Sequence, residues 1–319
     1  MRIVARMHGT IVDVPGVRVG HADDVAAGTG CTVILFEQDG AVCGFDARGS
    51  AVGARGTDSL APTASIDVVH AILLTGGSAY GLDAAGGVME ELEGRGIGLA
   101  IGPVRVPIVP AAVIFDLIGR DGRVRPDKAM GAAALRAASR ERPAEGRVGA
   151  GRGALVAKLA GIENARPGGL GCASIRRGEL VVGALAVCNA VGSVYDPHTR
   201  APVALPRGAN ERFDIAGAIE AFAAAGASAD AQSIANTTLA VIVTNAALRK
   251  VDATKVAQMA HDGFARAIDP IHTTRDGDAI FAASTGSVNV PLDLVGVLAA
   301  EAVARAIVHG VRAAGVAEA

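Results

Sequence analysis

The order of its periodic segments is what most constrains this 319-residue chain. Strand-like runs occur singly or in hairpins, helical stretches lie between them, and no strand–helix–strand unit repeats. Residues 31–36 and 41–46 are strand-like and flank Asp39-Gly40, which predicts a hairpin. Residues 173–187 predict a second hairpin around Arg177-Gly178. Residues 68–74 form one short apolar run, closed by Gly76-Gly77-Ser78 and followed by helix-like sequence over 79–92. Further helices are predicted over 128–140, 214–224, 252–268 and 292–313, with a strand over 279–284. This mixture favours sheets covered by helices in layers over a doubly wound parallel sheet. Half the residues are hydrophobic and 42 are glycine, so the core should be built of small residues at close backbone approach.

One junction carries chemistry. Residues 226–236 are small and polar, as in a surface linker, and run directly into the strand signal Thr237-Thr238-Leu239-Ala240-Val241-Ile242-Val243-Thr244. A linker entering a buried strand without pause is where a processed chain could present a new terminus. A threonine hydroxyl is a poor nucleophile unless a base takes its proton, and an N-terminal threonine can use its own α-amine. A chain-terminal amine ordinarily titrates at about 7.7–8.0 and is neutral in part near physiological pH. Thr237 is internal, so this use demands cleavage after Asn236: the hydroxyl attacks the preceding carbonyl and the resulting ester hydrolyses. A turn residue leading into a β-branched strand would give the same pattern, so these residues alone do not decide.

Other features narrow the function by exclusion. A net charge of −2, 3% aromatic residues and no Trp give no basis for a nucleic-acid partner. No uninterrupted apolar run reaches about 18 residues, which argues against a membrane span. The first 20 residues hold no apolar run of signal-peptide length, so a cytoplasmic location is expected. Cys31, Cys43, Cys172 and Cys188 match neither a zinc nor a redox spacing and read as buried free thiols. The seven histidines show no metal-binding spacing, and neither metal nor cofactor is expected. Gly77-Ser78-Ala79-Tyr80-Gly81 lacks the Gly at position 80 that a nucleophile elbow requires, and reads as a glycine turn opening a helix. Gly149-Ala150-Gly151-Arg152-Gly153 is an incomplete dinucleotide fingerprint, better explained as a flexible or close-packed loop. Asp276-Gly277-Asp278 fails the EF-hand pattern, and by residue type alone reads as a pair of solvated turn carboxylates.

Six segments, taken together and in order, carry a resemblance over nearly the whole chain. They are Gly16-Val17-Arg18-Val19-Gly20-His21, Leu74-Thr75-Gly76-Gly77-Ser78-Ala79-Tyr80-Gly81-Leu82, Val106-Pro107-Ile108-Val109-Pro110, Ala186-Val187-Cys188-Asn189-Ala190, Asn236-Thr237-Thr238-Leu239, and Asp276-Gly277-Asp278 followed by Phe281. The chain resembles the DmpA-like L-aminopeptidase/D-esterases, a family that includes β-aminopeptidases and the nylon-oligomer endohydrolase. The resemblance implies a single catalytic domain over 1–319, an α/β fold with a four-layer α/β/β/α sandwich like that of N-terminal-nucleophile hydrolases. It also implies self-cleavage between Asn236 and Thr237 into a large chain, 1–236, and a small one, 237–319. Thr237 is then the nucleophile, Asn189 a donor to the developing oxyanion, Lys158 a support for the nucleophile's charge state, and Asp276 and Asp278 an acidic pair beside it. The pair, in place of the Ser-x-Glu of the aminopeptidases, points to the nylon-oligomer branch. Phe115 stands where aminopeptidase members tend to carry an aromatic hydroxyl, and Phe donates no hydrogen bond.

The activity so implied is an amide hydrolase, an aminopeptidase or amidase, acting on small peptides, aminoacyl amides or esters, or 6-aminohexanoate-type oligomers. Homo-oligomers of processed heterodimers are the family habit. Two alternatives remain at this point: an acyltransferase like the ornithine acetyltransferases, in which an amine replaces water, and a non-catalytic binding protein with the Asn236–Thr237 bond intact.

Overall fold

The computed structural model describes residues 9–37, 40–118, 120–209 and 236–316, with Gly217, Glu220 and Ala223. Apart from Gly217, Glu220 and Ala223, which are helical, the predicted helix over 214–224 lies outside the described residues, as does the linker over 226–236 except Asn236. Eleven strands build two main sheets: β1 (Val17–Asp24), β2 (Thr29–Phe36), β3 (Ala41–Ala47), β4 (Ala54–Arg55), β5 (Val68–Val69), β6 (Ala71–Thr75), β7 (Ala111–Val113), β8 (Gly169–Arg177), β9 (Leu180–Asn189), β10 (Thr237–Ala246) and β11 (Ala279–Val288). The first sheet has the order β1-β2-β6-β7-β4 and the second β8-β9-β10-β11-β3-β5. Neighbours are antiparallel except β6 with β7 and β10 with β11.

Alternation along the strands fixes the layers. In β10, Leu239, Val241 and Val243 enter the core shared with Ile34, Phe36, Ile72 and Leu74 of the other sheet. Ala240 and Ile242 face the opposite way and pack with Val256, Phe264, Val303 and Ile307 of helices α3 (Lys250–Ala267) and α4 (Leu292–Val316). On the far side, Cys31, Val33, Leu35 and Leu73 meet Val88, Leu92 and Leu135 of α1 (Ala84–Gly94) and α2 (Lys128–Arg136). The result is the expected α/β/β/α sandwich. Small residues bring these layers close: a Cβ on Gly171 would lie 2.2 Å from the Ala306 carbonyl oxygen of α4, and one on Gly44 2.2 Å from the Thr254 nitrogen of α3. The segment 292–315 is apolar and long enough for a bilayer, but 67% of its most apolar window is buried as a core helix.

Two sequence expectations need correction. Residues 31–36 and 41–46 are strands, but not a hairpin: β2 pairs with β1 and β6, whereas β3 pairs with β11 and β5. Likewise 68–74 is not one strand, because the chain changes sheets at the buried His70, whose Nδ1 accepts the Ile108 N–H at 3.0 Å. In both places each strand has two covered faces, so local alternation carries no information about its partner. The second hairpin forms as expected, with Gly178 at φ +60° between β8 and β9. Helix α2 ends at Arg136, short of the predicted limit. All four cysteines are buried and free.

Candidate active site

The antiparallel register of β9 and β10 sets Asn189 opposite Thr237. Two residues further into the sandwich, Val187 and Leu239 face the core between the sheets. By the period of two, Asn189 and Thr237 open onto the same layer at its mouth. Both are buried. Phe115, just past β7, closes this end from the first sheet, and its carbonyl accepts the Asn189 Nδ2 at 3.0 Å. Asn189 Oδ1 accepts from the Leu155 N–H at 2.9 Å and from Lys158 Nζ at 3.1 Å. The amide therefore ties the two sheets together.

Lys158 reaches this point through strained backbone. Ala157 sits at φ +57°, in the left-handed region, and the Ala157 and Lys158 N–H groups donate to the carbonyls of Gly192 and Val191 at 2.9 and 2.8 Å. Lys158 Nζ then donates to the Asn189 carbonyl at 2.8 Å. The amine end is enclosed by protein, although the residue keeps some contact with solvent. Desolvation lowers its pKa to about 7, against the opposing pull of Asp276 and Asp278.

The acids arrive from the other neighbour of β10. Asn236 and Asp276 form a parallel bridge just before β10 and β11 pair, so the Asp276-Gly277-Asp278 turn wraps the start of β10. Both carboxyls are fully buried, not solvated as their residue types suggest. Asp278 Oδ1 accepts the Thr238 N–H at 2.7 Å, and its Oδ2 accepts from His272 Nδ1 at 2.8 Å and the His272 N–H at 3.2 Å. Asp276 Oδ2 accepts from the Thr273 N–H and hydroxyl at 3.0 and 2.5 Å. Burial, then the charge of Asp278, push the Asp276 carboxyl up to about 6.

At the centre, the Thr237 hydroxyl donates to the carbonyl oxygen of Asn236. The Gly277 N–H donates to that same oxygen at 3.0 Å. Thus Asn189, Lys158, Asn236, Thr237, Asp276 and Asp278 all converge on the first residues of β10. Sequence reasoning missed His272 and the Gly277 N–H. A histidine outside any metal spacing carries no pattern to find it by, and a main-chain donor leaves no mark on residue type. It also missed Asp116, buried and lining a small cleft with Phe115, Lys158 and Asn189, whose oxygens accept from the Gly77 N–H at 2.7 Å and the Thr29 hydroxyl at 2.8 Å.

Comparison with known proteins agrees with this architecture. The Ochrobactrum anthropi L-aminopeptidase D-Ala-esterase/amidase, a variant of the Ntn hydrolase fold, superposes with a TM-score of 0.72 at 18% identity, covering 96% of this chain and 86% of that one. At that identity the likeness is one of fold. An uncharacterized aminopeptidase of Mycobacterium tuberculosis is 40% identical over 95% of this chain and 93% of its own. The 6-aminohexanoate-oligomer endohydrolase of Paenarthrobacter ureafaciens is 36% identical over 88% and 76%. Residues 9–319 match Peptidase family S58, and this chain belongs to that family.

Proposed function

We propose that Thr237, released by cleavage of the Asn236–Thr237 bond, is the nucleophile with which this peptidase-family chain hydrolyses amide bonds. The observation that carries this reading is the pair of donors on the Asn236 carbonyl, the Thr237 hydroxyl and the Gly277 N–H. Thr237 Oγ1 attacks the carbonyl carbon of Asn236; the C–O bond forms and the π pair moves to the carbonyl oxygen, against the Gly277 N–H. Collapse breaks the C–N bond, and the proton lost by the hydroxyl ends on the Thr237 nitrogen. Water hydrolyses the ester, leaving a carboxylate on Asn236 and a free amine and hydroxyl on Thr237.

In turnover that amine takes the hydroxyl proton, Thr237 attacks the substrate carbonyl, and water releases the acyl group. Asp276 and Asp278 favour the protonated amine and Lys158 opposes it, which holds its pKa near the working pH. The side-chain amide of Asn189, set opposite Thr237, helps hold the developing oxyanion. Small peptides, aminoacyl amides or esters, and 6-aminohexanoate-type oligomers form the proposed substrate class. Phe115, Ile118, Leu155 and Ile162 give the cleft apolar walls. Among its lining residues Asp116 is the one carboxylate, and it already holds Gly77 and Thr29.

Intact-mass analysis with a substrate panel tests the proposal. The purified protein should give two chains, the smaller beginning at Thr237, and should hydrolyse members of a panel of L-, D- and β-aminoacyl amides and 6-aminohexanoate oligomers. Thr237→Ala should remain one 31.8 kDa chain without activity. A new terminus elsewhere, or hydrolysis by Thr237→Ala, overturns it.

A further inference from the structure

His272 occupies φ +58°, a left-handed conformation that non-glycine residues adopt at a cost. That conformation turns both its main-chain N–H and its ring Nδ1 onto one oxygen, Asp278 Oδ2, at 3.2 and 2.8 Å. The ring is walled by α3: His261 stands edge-on with centroids 4.9 Å apart, and Phe264 lies at 6.0 Å. With Oδ2 fixed, the other oxygen of Asp278 is free to hold the Thr238 N–H at 2.7 Å. Thr238 is the first peptide unit beyond the bond to be cut.

The consequence differs before and after cleavage. In the intact chain Thr237 is fixed from both sides, since the Asn236 carbonyl is held by the Gly277 N–H. Once that bond is cut, Thr237 ends a strand, and strand ends fray unless tied down. What remains is the pairing with Asn189 and the grip of Asp278 on the Thr238 N–H. We infer that His272 is a positioning residue of the mature enzyme, locking Asp278 so that the released end of β10 keeps Thr237 aimed into the cleft. This rests on Thr237 being the freed nucleophile.

Two variants separate positioning from mere structure. His272→Gly removes the ring while accepting the left-handed backbone; His272→Asn also tolerates that backbone and restores a side-chain donor. Self-cleavage, Tm, kcat and KM are measured for both, beside wild type and Thr237→Ala. His272→Gly should still cleave itself, with kcat lowered roughly 10–100-fold, the scale of a 1 Å misplacement, and KM within about threefold. His272→Asn should recover most of the lost kcat. Wild-type kcat in cleaved His272→Gly overturns the inference, as does a loss that tracks the folded fraction and is not rescued by Asn. Activity retained by Thr237→Ala overturns the nucleophile assignment instead, and the role of His272 with it.

Discussion

Gly277 has no side chain, and its surroundings leave no room for one: a Cβ there would lie 2.8 Å from Thr237 Oγ1 and 2.5 Å from the Ala51 carbonyl oxygen. The residue between the two acids thus lets the turn close onto Thr237. That closure also buries Asp276, whose raised pKa ties the site to stability. Between the unfolded value near 3.8 and the folded value of about 6, the folded chain holds more proton on this group. Its contribution is therefore fully present below pH 3.8 and is lost as pH rises through about 6. In an uncleaved Thr237→Ala background, Asp276→Asn should raise Tm above about pH 6 relative to the unchanged acid. That difference should shrink to nothing below about pH 4, close to the ordinary carboxyl value. A thermal series from about pH 4 to 8 checks both the sign and the window; a gap that stays constant with pH would refute it.

At the scale of elements, the first turn of α3 carries a buried cation that docks the loop beyond β4. Lys250 Nζ donates to the carbonyls of Ser59, Ala64 and Ile66 at 3.0, 2.9 and 2.7 Å. Lys250→Met strands those acceptors and should cost about 2–4 kcal/mol, read by urea unfolding, with faster hydrogen exchange over 57–66. Nothing in the sequence around Lys250 marks this, because the three acceptors are main-chain atoms nearly two hundred residues away. The same limit explains the misplaced hairpin. Alternation identifies β2 and β3 as strands, while the choice of partner rests on β11, which is distant in sequence. Hairpin β8–β9 is legible because its turn and both apolar runs are contiguous. The resemblance supplied Thr237, Asn189, Lys158 and the acids. The left-handed turn at His272 had no residue signal, since Gly and Asn are the usual markers of that conformation.

For the molecule as a whole, the proposed cut severs the chain without freeing either part. Residues 237–319 contribute β10, β11, α3 and α4, and β10 lies inside the second sheet, between β9 and β11. Both large cores cross the division. Native mass spectrometry of cleaved protein should therefore show 1–236 and 237–319 in one particle. Separate fragments without denaturant would contradict it. The wrapping of β10 by the Asp276-Gly277-Asp278 turn also sets a clock. A nascent chain that has just made Thr237 has neither the Gly277 donor for the Asn236 carbonyl nor the two acids, and α4, which lies further along the chain, still has to roof the sheet. On the proposed reading, the scissile bond is inert until the chain has passed Asp278 and folded around β10, and becomes reactive only then. A chain that stopped short of Asp276 would keep its threonine locked inside the backbone, and the folding of the later strands would itself be the licence to act.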